Sequence, residues 1–224
     1  MRTLVMWDID GTLLRGGGLA WRSWQAAFAE VTGLEWKATP QIGGRTDLDL
    51  CAEVFHTHGV TDCTPEQFFE RYVELVLTDQ HLFAEQGWLM PGVREVLAAL
   101  SDEPDVVQTL VTGNHPLVAA AKVGAFGLAD AFDVEVGGYG TDDSVRATLV
   151  RRCLERASEK YGEQFRAVVV GDTGHDVDAA LANGVTVVAV ATGGVSTDEL
   201  AAAGAHHVLA DLSDVDAAVR AITA

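Results

Sequence analysis

Asp8 and Asp10 close an apolar run that begins at Thr3 near the start of the chain. On an extended strand that spacing points both side chains the same way. A carboxylate at a strand end can attack phosphorus and hold the group as an acyl phosphate. A second carboxylate beside it can protonate the leaving oxygen and then activate water. Two further polar clusters follow apolar runs: Thr112-Gly113-Asn114 and Gly171-Asp172-Thr173-Gly174-His175-Asp176. The first offers a hydroxyl and backbone amides, donors that suit anionic oxygens. The second adds two carboxylates which, with Asp8 and the Asp10 backbone carbonyl, make the oxygen-rich ligand set that Mg²⁺ takes. Each cluster also has a purely structural reading. Thr112 can cap a strand end, Asp172 can cap a helix, and Asp176 can sit in a first helical turn.

The elements that must position these groups are legible as periods. Apolar runs at 3–9, 106–111, 167–170 and 185–190 alternate with helical patterns at 93–100, from about 116, at 144–161 and from about 175. Short strands are expected at 132–136 and 207–209. Such alternation predicts a parallel sheet covered by helices on both faces, with ligands at the carboxyl ends of the strands. Between Leu19 and Trp88 the period is helical throughout. Trp21, Trp24, Phe28 and Val31 form one face, and Phe68, Tyr72, Leu75 and Val76 form another. Thr64 before Pro65 marks a helix start. Gly16-Gly17-Gly18 suits a hinge. The expected organisation is a Rossmann-like three-layer α/β/α core (1–15 and 89–224) and a small all-helical cap domain (16–88).

Composition narrows the function classes. The formal charge of -18 speaks against nucleic acid as a partner, since phosphate backbones need clustered lysine and arginine. No apolar run reaches the roughly 20 residues of a membrane helix, so no membrane partner is expected. The aspartates interrupt the apolar start, which argues against a signal peptide and for a cytoplasmic protein. The three cysteines, without close pairing, read as reduced thiols. His56 and His58 lack a third partner and read as surface histidines, and Trp21, Trp24 and Trp36 as cap core.

The segment Asp8-Ile9-Asp10-Gly11-Thr12-Leu13 resembles the first motif of the haloacid dehalogenase-like superfamily. Thr112-Gly113-Asn114 and Gly171 to Asp176 resemble its second and fourth motifs, in order. Within that superfamily the chain is most similar to phosphoglycolate-phosphatase-like proteins, partly through Pro91-Gly92-Val93 and Gly43-Gly44-Arg45-Thr46-Asp47. The resemblance implies a Mg²⁺-dependent phosphomonoester hydrolase acting on a small phosphorylated metabolite. Asp8 is then the nucleophile and Asp10 the general acid/base. Thr112, Gly113 and Asn114 bind phosphate, and Asp8, Asp10, Asp172 and Asp176 face the metal. Asp176 is open between direct ligation and support from behind. The third motif usually supplies a lysine, but 140–153 contains none. Arg146, at a helix start, is the expected replacement as phosphate contact. Arg45 is a candidate contact for the substrate's other end. A phosphomutase of the same superfamily, and a non-catalytic binding protein on the same scaffold, are the competing readings. A dehalogenase is disfavoured because Asp10 is present. Monomer and homodimer remain open.

Overall fold

The computed structural model describes residues 1–224. The chain runs β1 (Thr3–Trp7), β2 (Leu14–Arg15), α1 (Leu19–Thr32), α2 (Asp47–His58), α3 (Pro65–Thr78), α4 (Leu82–Gln86), β3 (Trp88–Leu89), α5 (Val93–Ser101), β4 (Val106–Thr112), α6 (Pro116–Ala125), β5 (Gly138–Tyr139), α7 (Arg146–Tyr161), β6 (Arg166–Gly171), α8 (Gly174–Ala182), β7 (Thr186–Val190), α9 (Thr197–Ala202), β8 (His207–Leu209) and α10 (Val215–Thr223). Six strands form a parallel sheet in the order β5-β4-β1-β6-β7-β8. The strand β1 is buried at every residue and sorts its side chains by parity. Leu4 and Met6 pack with α7 and α8, while Val5 and Trp7 pack with α5 and α10. This two-sided burial is why the strand reads as a continuous apolar run. Trp7, fully buried, donates its indole N–H to Gln108 Oε1 at 3.1 Å, so a large apolar side chain is buried without an unpaired donor. No helix is long and apolar enough to cross a membrane.

Register delivers the polar clusters to one edge. Trp7 lies level with Leu110 on β4 and Val170 on β6. The residues just beyond, Asp8, Thr112 and Asp172, therefore emerge at the same carboxyl end. The helices α1, α2 and α3 bury a separate apolar cluster of Trp24, Phe28, Val54, Phe68, Tyr72 and neighbours, over α6. The Thr64 cap closes as a box with Gln67, and Pro65 takes the first turn. The segment enters and leaves through the short antiparallel pair β2–β3, which sets Leu14 against Leu89 and Arg15 against Trp88.

Two expectations are corrected. Phe132 to Val136 is not a strand: 3₁₀ turns span Ala129–Ala131 and Val134–Val136, and pairing with β4 is deferred to Gly138–Tyr139. Asp133 makes the difference. Its side chain accepts from Glu135 N at 3.2 Å, while its carbonyl accepts from Thr109 Oγ1 at 2.7 Å, and this local bonding competes with a ladder. His58 is not on the surface either. It is buried, with Nε2 accepting from Lys37 N at 2.9 Å and its ring packed on Phe28 and Trp36. Both ring nitrogens find backbone partners, which is how a histidine is buried at low cost.

Candidate active site

The end of β1 carries Asp8 into contact with α7. Arg146, the first residue of that helix, places Nη2 2.7 Å from Asp8 Oδ1 and 2.5 Å from Asp176 Oδ1, and Nη1 3.1 Å from the Gly44 carbonyl. The other Asp176 oxygen accepts from Thr173 N at 3.1 Å and Thr173 Oγ1 at 2.7 Å, which caps α8. Asp172 accepts from Thr12 Oγ1 at 2.9 Å. One carboxylate oxygen each from Asp8, Asp172 and Asp176 lie within 4.8 Å of one another. The Asp10 carboxylate turns away from this group. Its Oδ2 accepts from Asn114 Nδ2 at 2.7 Å and from Lys122 Nζ at 2.5 Å. Asn114 Nδ2 also reaches Thr112 Oγ1 at 2.7 Å, which leaves the Thr112 O–H free to donate.

All of these but Asp176 and Thr12 line one end of a cavity of about 510 Å³ between the sheet edge and the helices α1 to α3. The loop 43–47 is stitched to the sheet edge across it. Asp47 N donates to the Gly113 carbonyl at 2.8 Å, and Leu48 N donates to the Gly140 carbonyl at 3.0 Å. Gly113 is required for this approach, because a Cβ there would stand 2.0 Å from the Arg45 carbonyl.

Electrostatics divide the two aspartates of the first cluster. Burial pushes the Asp8 carboxyl up to about 7. Arg146 pulls it down, while Asp176 and Asp10 push it up. Asp172 rises to about 8 through burial, Asp8 and Asp176. For Asp10, burial also raises the pKa, but the Lys122 ammonium and the hydrogen bonds from Lys122 and Asn114 outweigh it and hold the carboxyl below its ordinary range. One oxygen of Asp8 and one of Asp172 receive no hydrogen bond from the protein. Buried carboxylates of like charge with free oxygens suit a hard divalent cation, whose charge would reverse their mutual repulsion.

The residues expected from sequence thus meet around one cavity, Asp176 buried behind its wall, with two qualifications. The Asp10 side chain is not part of the acidic trio; it is held by Asn114 and Lys122. The Arg45 guanidinium, from the loop before α2, folds onto that helix, 2.6 Å from Asp49 and in contact with Glu53. It forms part of the cavity wall but is already neutralised. Lys122 was missed. Its signal is a lone cation in the apolar helical stretch Pro116 to Ala125, and it is only 2% exposed. Gly193, after β7, was missed too; a Cβ there would overlap Asp172 Oδ2 at 1.4 Å. No local pattern reveals that approach.

The fold is an α/β core with a parallel sheet and a cluster of buried carboxylates at its carboxyl edge. The chain belongs to the haloacid dehalogenase-like hydrolase family, whose model matches residues 3–184. It is therefore a hydrolase by family, and such hydrolases generally use a divalent metal ion. Among solved structures, the chain is similar to a predicted phosphatase from Clostridium acetobutylicum (19% identity, 98% of this chain and 99% of that chain, TM-score 0.69). It is also similar to a predicted phosphoglycolate phosphatase from Haemophilus somnus 129pt (19% identity, 96% of each chain, TM-score 0.66). A protein designated a beta-phosphoglucomutase from Bacteroides vulgatus aligns as well (19% identity, 99% of this chain and 89% of that chain, TM-score 0.66). At these identities the likeness is one of fold. No curated protein sequence matches the chain.

Proposed function

We propose that the chain is a Mg²⁺-dependent phosphomonoester hydrolase acting on a small phosphorylated metabolite, with Asp8 as nucleophile and Asp10 as general acid/base. The observation that carries this reading is the separation of the two carboxylates: Asp8 held against Arg146, Asp10 against Lys122 and Asn114. Asp8 attacks phosphorus and the ester oxygen leaves, taking a proton from Asp10. Water then attacks the aspartyl phosphate, giving its proton to Asp10 and returning Asp8 as carboxylate. Lys122 favours the ionised Asp10 that the second half-reaction needs. The dianionic phosphate entering beside it favours the protonated form that the first half-reaction needs.

The Thr112 hydroxyl, the Gly113 and Asn114 amides and the Arg146 guanidinium supply donors for the phosphoryl oxygens. Asp8, Asp172 and the Asp10 carbonyl would hold Mg²⁺, with Asp176 beside them fixing Arg146. The ion supplies charge neutralisation between an anionic nucleophile and an anionic substrate. The helical segment 16–88 acts as a cap that excludes water, opening about Gly16 to Gly18. The setting is cytoplasmic, and the working form a monomer or homodimer.

The test is phosphate release from an aryl phosphate, with product analysis on a hexose phosphate. Hydrolysis requires one inorganic phosphate per substrate consumed. An isomerised sugar phosphate without free phosphate would make the chain a phosphomutase, and binding without turnover would make it a scaffold for recognition. Chelating the divalent ion is expected to slow hydrolysis by about a thousandfold, because repulsion of about 4 kcal/mol between unit charges at 4 Å is left unscreened. A rate unchanged by chelation would remove the ion from the reaction.

Lys122→Met is expected to lower kcat by about a hundredfold with KM nearly constant, since it acts on proton transfer through Asp10. Lys122→Arg should restore part of the rate. A rise in KM with kcat unchanged would instead make Lys122 a substrate contact.

A further inference from the structure

The end of the cavity away from Asp8 is formed by the helical segment, and its charges are unevenly committed. Four cations line the whole cavity: Arg15, Arg45, Lys122 and Arg146. Arg146 is taken by Asp8 and Asp176, Lys122 by Asp10 and Asn114, and Arg45 by Asp49 and Glu53. Arg15 sits beside Gly11 on the same side as Asp172, at the phosphate end, 3.4 Å from the Thr192 carbonyl. No cation is left over for a second anionic group at the far end.

Three polar groups on the helical wall stand without full partners, one of them the buried Trp24 indole N–H. Asp47 is 7% exposed and takes one hydrogen bond, from His115 N to Oδ2 at 2.7 Å; its other oxygen receives none. Tyr72, 2% exposed, has no protein partner for its hydroxyl, and burial with the nearby charges of Asp47 and Asp10 keeps that hydroxyl protonated. Trp21, Trp24, Leu50 and Trp88 complete the wall, with the Trp24 and Tyr72 rings 5.1 Å apart. An acceptor, a donor and flat apolar faces together match a ring that bears hydroxyls.

We propose that the substrate's leaving group is an uncharged, hydroxyl-bearing body of ring size, and that Asp47 selects against phosphomonoesters with a second anionic group such as a carboxylate. A hydroxyl donating to the free Asp47 oxygen satisfies a buried carboxylate. A substrate carboxylate in its place makes ionisation of Asp47, whose carboxyl burial already pushes up to about 7, costlier still, and the one cavity cation without a carboxylate partner, Arg15, sits on the Asp172 side. This inference rests on the phosphatase reading and deepens it. It also departs from the phosphoglycolate analogy that the sequence motifs suggest.

The experiment compares kcat/KM for a hexose 1-phosphate, glycerol 3-phosphate and phosphoglycolate, with an aryl phosphate as control. The hexose phosphate is expected to exceed phosphoglycolate by at least about tenfold, with glycerol phosphate between them. Asp47→Asn is expected to raise the ratio of kcat/KM for phosphoglycolate to that for the hexose phosphate about tenfold. Phosphoglycolate as good as the hexose phosphate in the wild type, or equal effects of Asp47→Asn on both, overturns the proposal. Failure of the phosphatase reading shows separately, as no phosphate from the aryl control. In that case, tryptophan fluorescence titration of Asp8→Asn with the same ligands decides, and tighter binding of phosphoglycolate than of the hexose phosphate overturns it.

Discussion

Asp8→Asn is expected to reduce phosphate release by about four orders of magnitude while the protein stays folded. Asparagine keeps the shape and an acceptor for Arg146, but its amide oxygen does not attack phosphorus to form a stable acyl phosphate. The effect is on chemistry, so substrate should still bind. Stability gives a control of opposite sign. Burial and neighbouring carboxylates raise the Asp8 pKa from 3.8 to about 7, so the folded state holds a proton that the unfolded chain has lost. Such a group makes the fold less stable as pH rises from about 4 to about 7. Removing it should leave the chelated protein at least as stable as the wild type at pH 8. Urea unfolding at pH 5 and pH 8 beside the phosphate assay checks both halves. Wild-type turnover in a folded Asp8→Asn protein would end the nucleophile assignment.

Arg146 carries the second large effect, and here rate and stability fall together. Its guanidinium is 9% exposed and spans two carboxylates, of which Asp176 is 1% exposed. Arg146→Met strands those charges in a buried pocket, for a loss of about 3 kcal/mol. It also removes a fixed donor for the phosphoryl oxygens, lowering kcat by a further factor of about 10² to 10³. Without Arg146 the Asp8 carboxyl rises further, so the loss of stability is expected to grow from pH 5 to pH 8 in chelator. Parallel wild-type and variant stability curves would contradict this coupling. Arg146→Lys should recover charge but little rate, because one ammonium cannot reproduce the planar fork that reaches Asp8, Asp176 and the Gly44 carbonyl at once.

Arg146 also marks how far the sequence could be read. Its role was inferred from a missing lysine and a helix start, and the structure brings it to Asp8 across 138 residues of chain. The strands that bring the motifs together were equally legible, because burial on both faces leaves an unbroken apolar run, as in Leu4 to Trp7. Reading failed where local polar bonding overrides period, as at Asp133, and where a side chain's partner lies elsewhere in the chain, as for His58 with Lys37 N. Arg45 lies in the cavity wall, but its partners Asp49 and Glu53 were not legible in advance.

Asp8, Asp10, Thr112, Asp172 and Asp176 were determined by the sequence as a set, because strand-end chemistry is written locally, in an apolar run and the polar residues that stop it. Only the tertiary structure decided which carboxylate faces which cation. That outcome depends on distances between segments far apart in the chain, and electrostatic energy in a buried pocket changes steeply with such distances. It set Lys122 beside Asp10, and it left Asp47 and Tyr72 facing the cavity with bonds to give.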